Sequence, residues 1–232
     1  MVDRLPKTLK SLVVFEDFST DLAAILHDAQ GLWGTRVALS RTPDARVATA
    51  FARKSLDLEH LSVSYMVDAV HFFQGCLPGS LGRHAGPETG TWPHLQSLAL
   101  TSRCLRRTGD RGEMDALLAL AADVVLRMPQ LHTLVLWNDT DACAFLYAWD
   151  SGTGARITWR GTWQLDMSPY VMRRWQAVAW EVRSCALEVV QERVDGAIRS
   201  HGDAIHHLNL PCQVVTPTSL WQIREEGNAH TE

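Results

Sequence analysis

Two polar residues near the middle of the first half of the chain have the spacing of a general acid–base pair. Asp68 and His71 are three residues apart, which places side chains on one face of a helix. A carboxylate that orients an imidazole is a known general-base arrangement, and His60 is a further candidate acid or base. The same spacing also fits a helix cap, Asp68, followed by a partly exposed histidine. Both interpretations stay open at this point.

A second polar segment follows a predicted strand at Trp137. Asn138 and the carboxylates Asp139 and Asp141 come directly after it. Ligands often bind beyond the carboxyl ends of parallel strands, so this segment is a candidate binding loop. A solvated turn is the alternative interpretation.

Metal and cofactor chemistry are not indicated by the sequence. His206 and His207 are adjacent, and neighbours on a strand point to opposite faces, so they do not form a chelating pair. The five cysteines are scattered and lack the spacing of metal ligands. The glycine-rich phosphate loops and nucleophile motifs of common enzyme families do not occur. We therefore expect no metal site and no cofactor.

Nine tryptophans are numerous for a chain of 232 residues. Large aromatic side chains bury well, so core packing is the simplest explanation. The alternative is a small-molecule pocket lined by Trp137, Trp159 and Trp163. In that case the aspartate and histidine candidates above would act as its acid and base.

A repeat supplies the elements that must position these residues. Five segments share a pattern of Leu-x-x-Leu-x-Leu, with Val or Ile at some of the apolar positions. Their last four residues alternate as a half-buried strand does, and parallel strands need crossover connections, usually helices. The segments begin 49, 37, 36 and 74 residues apart, so one unit is missing or replaced within the last gap. The five segments are 9–14, 58–63, 95–100, 131–136 and 205–210.

The repeat predicts a surface as well as a core. Outward positions of neighbouring parallel strands stack about 4.8 Å apart, and in solenoid proteins this face is the usual binding face. We expect it to contact a protein partner or a small molecule, unless other elements cover it. The expected binding residues are His60, Ser62, Ser97, Thr101, Thr133, Trp137, Asn138, His207 and Asn209.

The remaining elements complete the predicted fold. Apolar spacing and end signals predict helices, an antiparallel hairpin at about 142–163 inserted into the repeat, and a long helix at about 168–200. The predicted class is α/β, with degenerate leucine-rich-repeat-like strand–helix units and a mostly parallel sheet in one domain, 1–232. The shorter helices are expected at 19–29, 43–54 and 113–127, and a flexible loop at 78–93. An irregular segment that ends with a short helix is expected at 211–223, and a polar tail at 227–232.

Composition limits the classes of partner. The net charge of −4 is spread along the chain, whereas nucleic-acid binding needs a concentrated basic face. No apolar stretch has the length of a membrane helix, and no secretory signal is visible. An odd number of widely scattered cysteines, five in all, is typical of a reducing compartment. We expect a cytoplasmic protein that binds neither nucleic acid nor membranes; its oligomeric state is not indicated.

Several motifs of core and turn residues occur along the chain: Leu58–Ser64 with Phe72-Phe73, Leu98–Ser102, Met128–Leu131 with Trp137-Asn138, and Ile157–Trp159 with Thr162-Trp163. Together they resemble a fungal domain of unknown function that commonly follows an F-box. They cover about residues 10–225. No F-box pattern precedes Leu9, so we expect this chain to lack that recruitment element.

The resemblance and the repeat together imply two functions of different classes. The first is a non-catalytic leucine-rich-like interaction module of this F-box-associated family. The alternative is a cofactor-independent small-molecule enzyme, such as a cyclase or isomerase of fungal secondary metabolism. The state of the outward strand face and of the predicted tryptophan pocket discriminates between them.

Overall fold

A single sheet of seven strands organises the protein, in which the strands lie in the order of the chain. The structure is a computed structural model, and it describes residues 5–6, 8–16, 43–77, 90–196 and 198–229. Strands β1 to β4 are parallel, β5 and β6 are each antiparallel to the strand before, and β7 is parallel to β6. The strands are β1 Ser11–Phe15, β2 His60–Asp68, β3 Ser97–Thr101, β4 Thr133–Asn138, β5 Cys143–Asp150, β6 Gly154–Gly161 and β7 Leu187–Arg193.

Six helices are found in the described part of the chain, and most begin at a polar cap. The side chains of Asp44, Asp68, Asp110 and Ser168 each accept a hydrogen bond from a backbone N–H in the first turn of the helix that follows. Such a bond satisfies a donor that the helix leaves unpaired. The helices are α1 Ala45–Lys54, α2 Ala69–Gly75, α3 Arg111–Val125, α4 Pro169–Arg183, α5 His201–Leu208 and α6 Pro217–Ala229, with a 3₁₀ turn at Ser55–Asp57.

The main core lies between the sheet and helices α1 to α4. Repeat residues such as Leu61, Leu98 and Leu134 are buried there with the apolar face of α3. Two tryptophans also join elements through hydrogen bonds: Trp92 Nε1 donates to Ser55 Oγ at 2.7 Å, and Trp175 Nε1 donates to the Leu118 carbonyl at 3.0 Å. This arrangement confirms core packing for both indoles.

The opposite face of the sheet, which we call the outward face, carries a second and smaller core. Helix α5 and the segment that follows it pack there, with Ile205, Leu208 and Val214 against Ala99 and Val135 of the sheet. Fully burying one such side chain contributes roughly 1.5–3 kcal/mol. The outward face is therefore partly covered, by the C-terminal segment of the chain.

The sequence prediction of a mostly parallel α/β repeat with an antiparallel hairpin is confirmed. The first four repeat segments overlap β1 to β4, and the strand registers align the repeat positions from one strand to the next. Strands β5 and β6 form the hairpin at 143–161, inside the predicted 142–163. Helices α1 and α3 lie where the predicted helices at 43–54 and 113–127 were placed.

Two predictions in the C-terminal third are wrong. The expected helix at 168–200 stops at Arg183, because Ser184 adopts a left-handed conformation with φ 53° and ends it. Its second half is strand β7, which pairs with β6 through the β-branched Val189 and Val190. The fifth repeat segment, 205–210, is not a strand but belongs to helix α5, capped by the Ser200 side chain.

The last helix is longer than expected. Helix α6 occupies Pro217–Ala229, where a short helix at the end of an irregular segment 211–223 and a polar tail from 227 were predicted. The predicted helix at 19–29 and nearly all of the loop at 78–93 lie outside the described residues. None of the helices in the described ranges combines the length and hydropathy needed to cross a membrane.

Candidate functional site

Four outward side chains form an open row across the parallel half of the sheet. Strand register places Ser11 opposite His60, His60 opposite Ser97 and Ser97 opposite Thr133. His60 is exposed, and Ser97 and Thr133 are half-buried. We call these four residues the first row. The sequence prediction of neighbouring outward positions is thus confirmed on these strands.

The first row forms the floor of a groove on the outward face, which we call the outward groove. It encloses about 460 Å³, and residues 211–213 form its other wall. The groove contains no Asp, Glu, Lys or Arg side chain; serine, threonine, histidine, glutamine and cysteine supply its polar groups. Besides the first row, the lining residues are Leu12, Val13, Leu61, Ser62, Gln96, His132, Pro211, Cys212 and Gln213.

The hydroxyl of Ser62 has an unusual position in this groove. Ser62 lies on β2, two residues after His60 of the first row, and only 4% of its surface is exposed. Its Oγ atom is buried and has no hydrogen-bond partner among the described residues. A buried hydroxyl without a partner costs roughly 1–3 kcal/mol. A ligand in the outward groove that supplied a polar atom would remove that cost.

Cys212 lies in the wall of the groove, close to Ser97. Burial raises the pKa of the Cys212 thiol to about 11, and a hydrogen bond with Ser97 opposes that rise. The thiol is therefore uncharged at neutral pH and lacks the thiolate that a nucleophile needs. Cys212 acts here as a polar contact of the groove.

Beyond the groove, the outward face closes beneath helix α5. Trp137 is fully buried there, so the expectation that it lies on the exposed part of the outward face is wrong. Its ring packs edge-on against Tyr65 at 5.5 Å between centroids, and Tyr65 packs against Phe15 at 5.4 Å and His201 at 6.3 Å. Helix α5 and the segment 210–215 after it, which we call the C-terminal cover, thus enclose an aromatic cluster at the carboxyl ends of the strands.

Tyr65 reaches this cluster because β2 contains an irregularity. The register between β2 and β3 shifts after Val63, and Tyr65 has a φ of 69°, which is rare for a bulky side chain. Thr101 Oγ1 accepts a hydrogen bond from the Tyr65 N–H at 2.8 Å and holds the bulge. Thr101, predicted as a binding residue, is therefore buried and engaged within the fold.

Asp68 caps helix α2 and anchors the loop after β3. Its carboxylate accepts hydrogen bonds from the N–H groups of Val70 and Arg103, both at 2.9 Å, and from Ser102 Oγ at 3.3 Å. It makes no hydrogen bond to His71 among the described residues. His71 instead lines a separate groove of about 540 Å³ between α2 and α3. The geometry of Asp68 fits the cap interpretation.

Asn138 also forms hydrogen bonds with the loops at the strand ends. Its side-chain amide donates to the Ser102 carbonyl at 2.8 Å, and its oxygen accepts from the Thr140 N–H at 2.8 Å. A small cavity of about 170 Å³ lies beside it. The lining side chains of Asp68, Thr101 and Asn138 are all hydrogen-bonded within the protein, as buried polar groups usually are.

The last two predicted binding residues are not in the row. His207 lies on helix α5, and a Cβ atom on Gly196 would come within 2.9 Å of its ring. Asn209 ends α5 in a left-handed conformation with φ 42°. Both corrections have one cause: residues 205–210 keep the apolar spacing of the repeat strand but form a helix and its cap.

The predicted tryptophan pocket is filled by packing. Trp137 and Trp159 are fully buried, and Trp159 contacts Trp163 edge-on at 4.7 Å. Trp159 Nε1 donates to the Trp163 carbonyl at 2.8 Å. Within the described ranges, no group of three His, Cys, Asp or Glu side chains is placed to hold a metal ion.

Sequence reasoning missed the wall formed by residues 211–213. One sequence signal for helix α5, which precedes this wall, was present. Ser200 followed by Asp203 is a capping pattern, and Ser200 Oγ accepts a hydrogen bond from the Asp203 N–H at 3.1 Å. Arg160 of β6 then fixes the end of α5 by donating to the carbonyls of Leu208 and Asn209, each at 2.7 Å. These contacts direct the chain back across the sheet.

Comparison with known proteins places the chain in a family but returns no relative of known role. No curated protein and no solved structure matches it. Residues 4–216 match one protein family, and this span includes the seven strands and helix α5. The chain belongs to the family described as a family of unknown function (DUF6546).

Proposed function

We propose that this protein is a non-catalytic interaction module that binds a segment of a protein partner in the outward groove. One observation carries the proposal: an open row of hydrogen-bonding side chains leads to a buried Ser62 hydroxyl that has no partner in the described structure. The resemblance to F-box-associated domains of fungi implies the same kind of role, which is partner recognition without chemistry.

The dimensions of the groove fit a polypeptide segment. Four adjacent strands span about 14 Å from the first to the fourth, at about 4.8 Å per step. An extended chain advances about 3.3 Å per residue, so four or five residues cover the row. Hydroxyl and imidazole groups both donate and accept hydrogen bonds, and they match the alternating groups of such a segment.

Selection from a random peptide library displayed on phage, with the full chain as bait, tests the proposal. Selected peptides are then measured against the variant His60→Ala with Thr133→Ala, which removes two of the four hydrogen-bonding side chains of the first row. Each lost bond is worth about 1 kcal/mol, so we expect the affinity to fall by roughly tenfold or more.

The matched control is Gln176→Ala, an exposed glutamine on helix α4 at the opposite face of the sheet. It should leave the affinity unchanged. If the selected peptides bind the His60→Ala, Thr133→Ala variant as tightly as the Gln176→Ala control, they contact another surface, and the proposal is wrong. Failure to select any peptide that competes for the row would also count against it.

A further inference from the structure

The polar side chains of the outward groove continue into the covered part of the outward face. Ser64 lies two residues after Ser62 on β2, so strand alternation places both hydroxyls on this face. Ser64 is fully buried, and its strand neighbour Phe15 stacks on His201 of helix α5 with 6.4 Å between the ring centroids. The Ser64 hydroxyl therefore lies on the part of the face that the C-terminal cover closes.

Two polar groups of this covered part have no partner. Ser64 Oγ and Trp137 Nε1 are both buried, and neither has a hydrogen-bond partner among the described residues. The other fully buried indoles of the described residues, those of Trp92, Trp159 and Trp175, each donate a hydrogen bond. Because buried polar groups are nearly always paired, an unpaired hydroxyl and an unpaired indole N–H on one face require an explanation.

Aliphatic side chains hold the cover on the sheet. Ile205, Leu208 and Val214 are buried there, and Arg160 donates to two carbonyls at the end of α5. A contact that leaves buried hydrogen-bonding groups unpaired is weaker than one that pairs them. A segment that buried similar side chains and also supplied the missing partners would therefore compete with the cover.

We infer that the partner's binding site continues beneath the C-terminal cover, and that the cover competes with the partner for it. This inference rests on the proposed function and names how the same site is regulated. The cover occupies the inner part of the site in the unbound protein, and the partner segment displaces it. Ser64 and Trp137 then become contacts of the partner.

The covered face also defines the chemistry of the partner segment. An indole N–H only donates, so the segment presents a carbonyl oxygen to Trp137 Nε1, while Ser64 Oγ takes either a donor or an acceptor. The side chains that the cover buries there are aliphatic, and the segment carries similar ones in their place. The partner is therefore a polypeptide segment with uncharged polar residues for the outward groove and aliphatic residues beside them.

Hydrogen exchange of the full chain without substitutions tests the displacement. The ligands are peptides selected by phage display that bind the His60→Ala, Thr133→Ala variant more weakly and so contact the first row. A ligand that binds a preformed site slows exchange around it, whereas a ligand that displaces the cover speeds exchange in 201–208. At saturating peptide we expect exchange there to become about fivefold faster or more, while exchange in α3 changes by less than about twofold.

Loosening the cover should strengthen binding. Arg160→Met removes the hydrogen bonds to the end of α5, so a larger fraction of the protein has the inner site open. We expect the same peptides to bind this variant about five- to tenfold more tightly, although it is less stable. Arg156→Met is the control, because Arg156 of the same strand pairs with Glu188 at the surface; its affinity should be unchanged.

Removing a hydroxyl beneath the cover should weaken binding. Ser64→Ala deletes a group that the unbound protein leaves unpaired, so the melting temperature should not fall. Binding should weaken by about fivefold, because the partner loses one hydrogen bond. A peptide confined to the open groove does not reach this fully buried position, and its affinity would be unchanged.

The failures of the two proposals differ in this design. If no selected peptide contacts the first row, the proposed function is wrong and the inference falls with it. If peptides contact the first row but exchange in 201–208 slows or stays constant, the cover remains in place; the inference is then overturned while the interaction module stands. Equal affinities for the two arginine variants, or an unchanged affinity for Ser64→Ala, would overturn it in the same way. Thermal unfolding checks that the variants are folded; should Arg160→Met unfold, hydrogen exchange and Ser64→Ala decide.

Discussion

Arg160 should hold the C-terminal cover on the sheet, and its replacement by Met tests this. Its guanidinium donates from one nitrogen to the Leu208 and Asn209 carbonyls at the end of α5, and from Nε to Glu192 on β7 at 2.5 Å. Met keeps the apolar part of the side chain but removes all three bonds. Because the first and last turns of a helix leave groups unpaired, the loss falls on the α5 carbonyls.

The expected loss is about 2 kcal/mol in the free energy of unfolding. Removing a charged donor from a partly buried acceptor costs roughly 1.5–3 kcal/mol. The Arg160 side chain is 21% exposed, and water can replace part of its bonding to Asn209, so we take a value near the lower end for the two carbonyls together. The ion pair with Glu192, which is 41% exposed, adds little.

Urea unfolding measures the loss in the free energy of unfolding, and hydrogen exchange shows which part of the chain is destabilised. Arg156→Met is the control on the same strand, because Arg156 pairs with Glu188 at 2.7 Å with both side chains about half exposed. That surface pair should contribute less than 1 kcal/mol. We expect the Arg160 variant alone to speed exchange in 201–208 relative to α3. If the two variants differ by less than about 0.5 kcal/mol, Arg160 does not act as the anchor.

Three further predictions follow from buried groups. Trp92→Phe should lower the free energy of unfolding by about 1–3 kcal/mol because it removes the bond to Ser55, whereas Trp180→Phe at a 70% exposed position should change it by less than about 0.5 kcal/mol in the same urea assay. Asp68→Ala should cost about 1–2 kcal/mol because it removes the N-terminal cap of α2, with the exposed Asp195→Ala as its control; an unchanged midpoint would refute the cap interpretation. Burial raises the pKa of Cys212 from 9.0 to about 11, so the folded state binds more protons between these values. The contribution of Cys212 to stability should be constant below pH 9 and fall as the pH rises toward 11, and Cys212→Ala should reduce the loss of stability over that range.

The repeat was predictable because each strand buries its own leucines. Leu61, Leu98 and Leu134 occupy the same repeat position, and each is buried on the helical face regardless of the length of the connection before it. The outward row follows from the same alternation, so His60, Ser97 and Thr133 could be placed beside one another from the sequence.

Apolar spacing alone did not predict the C-terminal cover, because it does not specify whether a segment forms a strand or a helix. Ile205 and Leu208 are three residues apart, which suits both a repeat strand and the buried stripe of a short helix. The N-cap at Ser200 decides in favour of the helix, and tertiary packing against Val135 stabilises it. Burial of Trp137 and the position of residues 210–215 follow from that local choice.

The reversal of direction at β4 and β5 has a consequence for how such a domain varies. In an array of identical strand–helix units, a new unit can be added at the end because each contacts only its neighbours. Here the antiparallel pair ends the parallel series, and the chain beyond it returns to pack on Ala99 and Val135. An extra unit inserted before β4 would shift the strands on which the returning segment must land. The number of repeats is thus constrained by the segment that covers them, and variation is expected in the long connections between the strands.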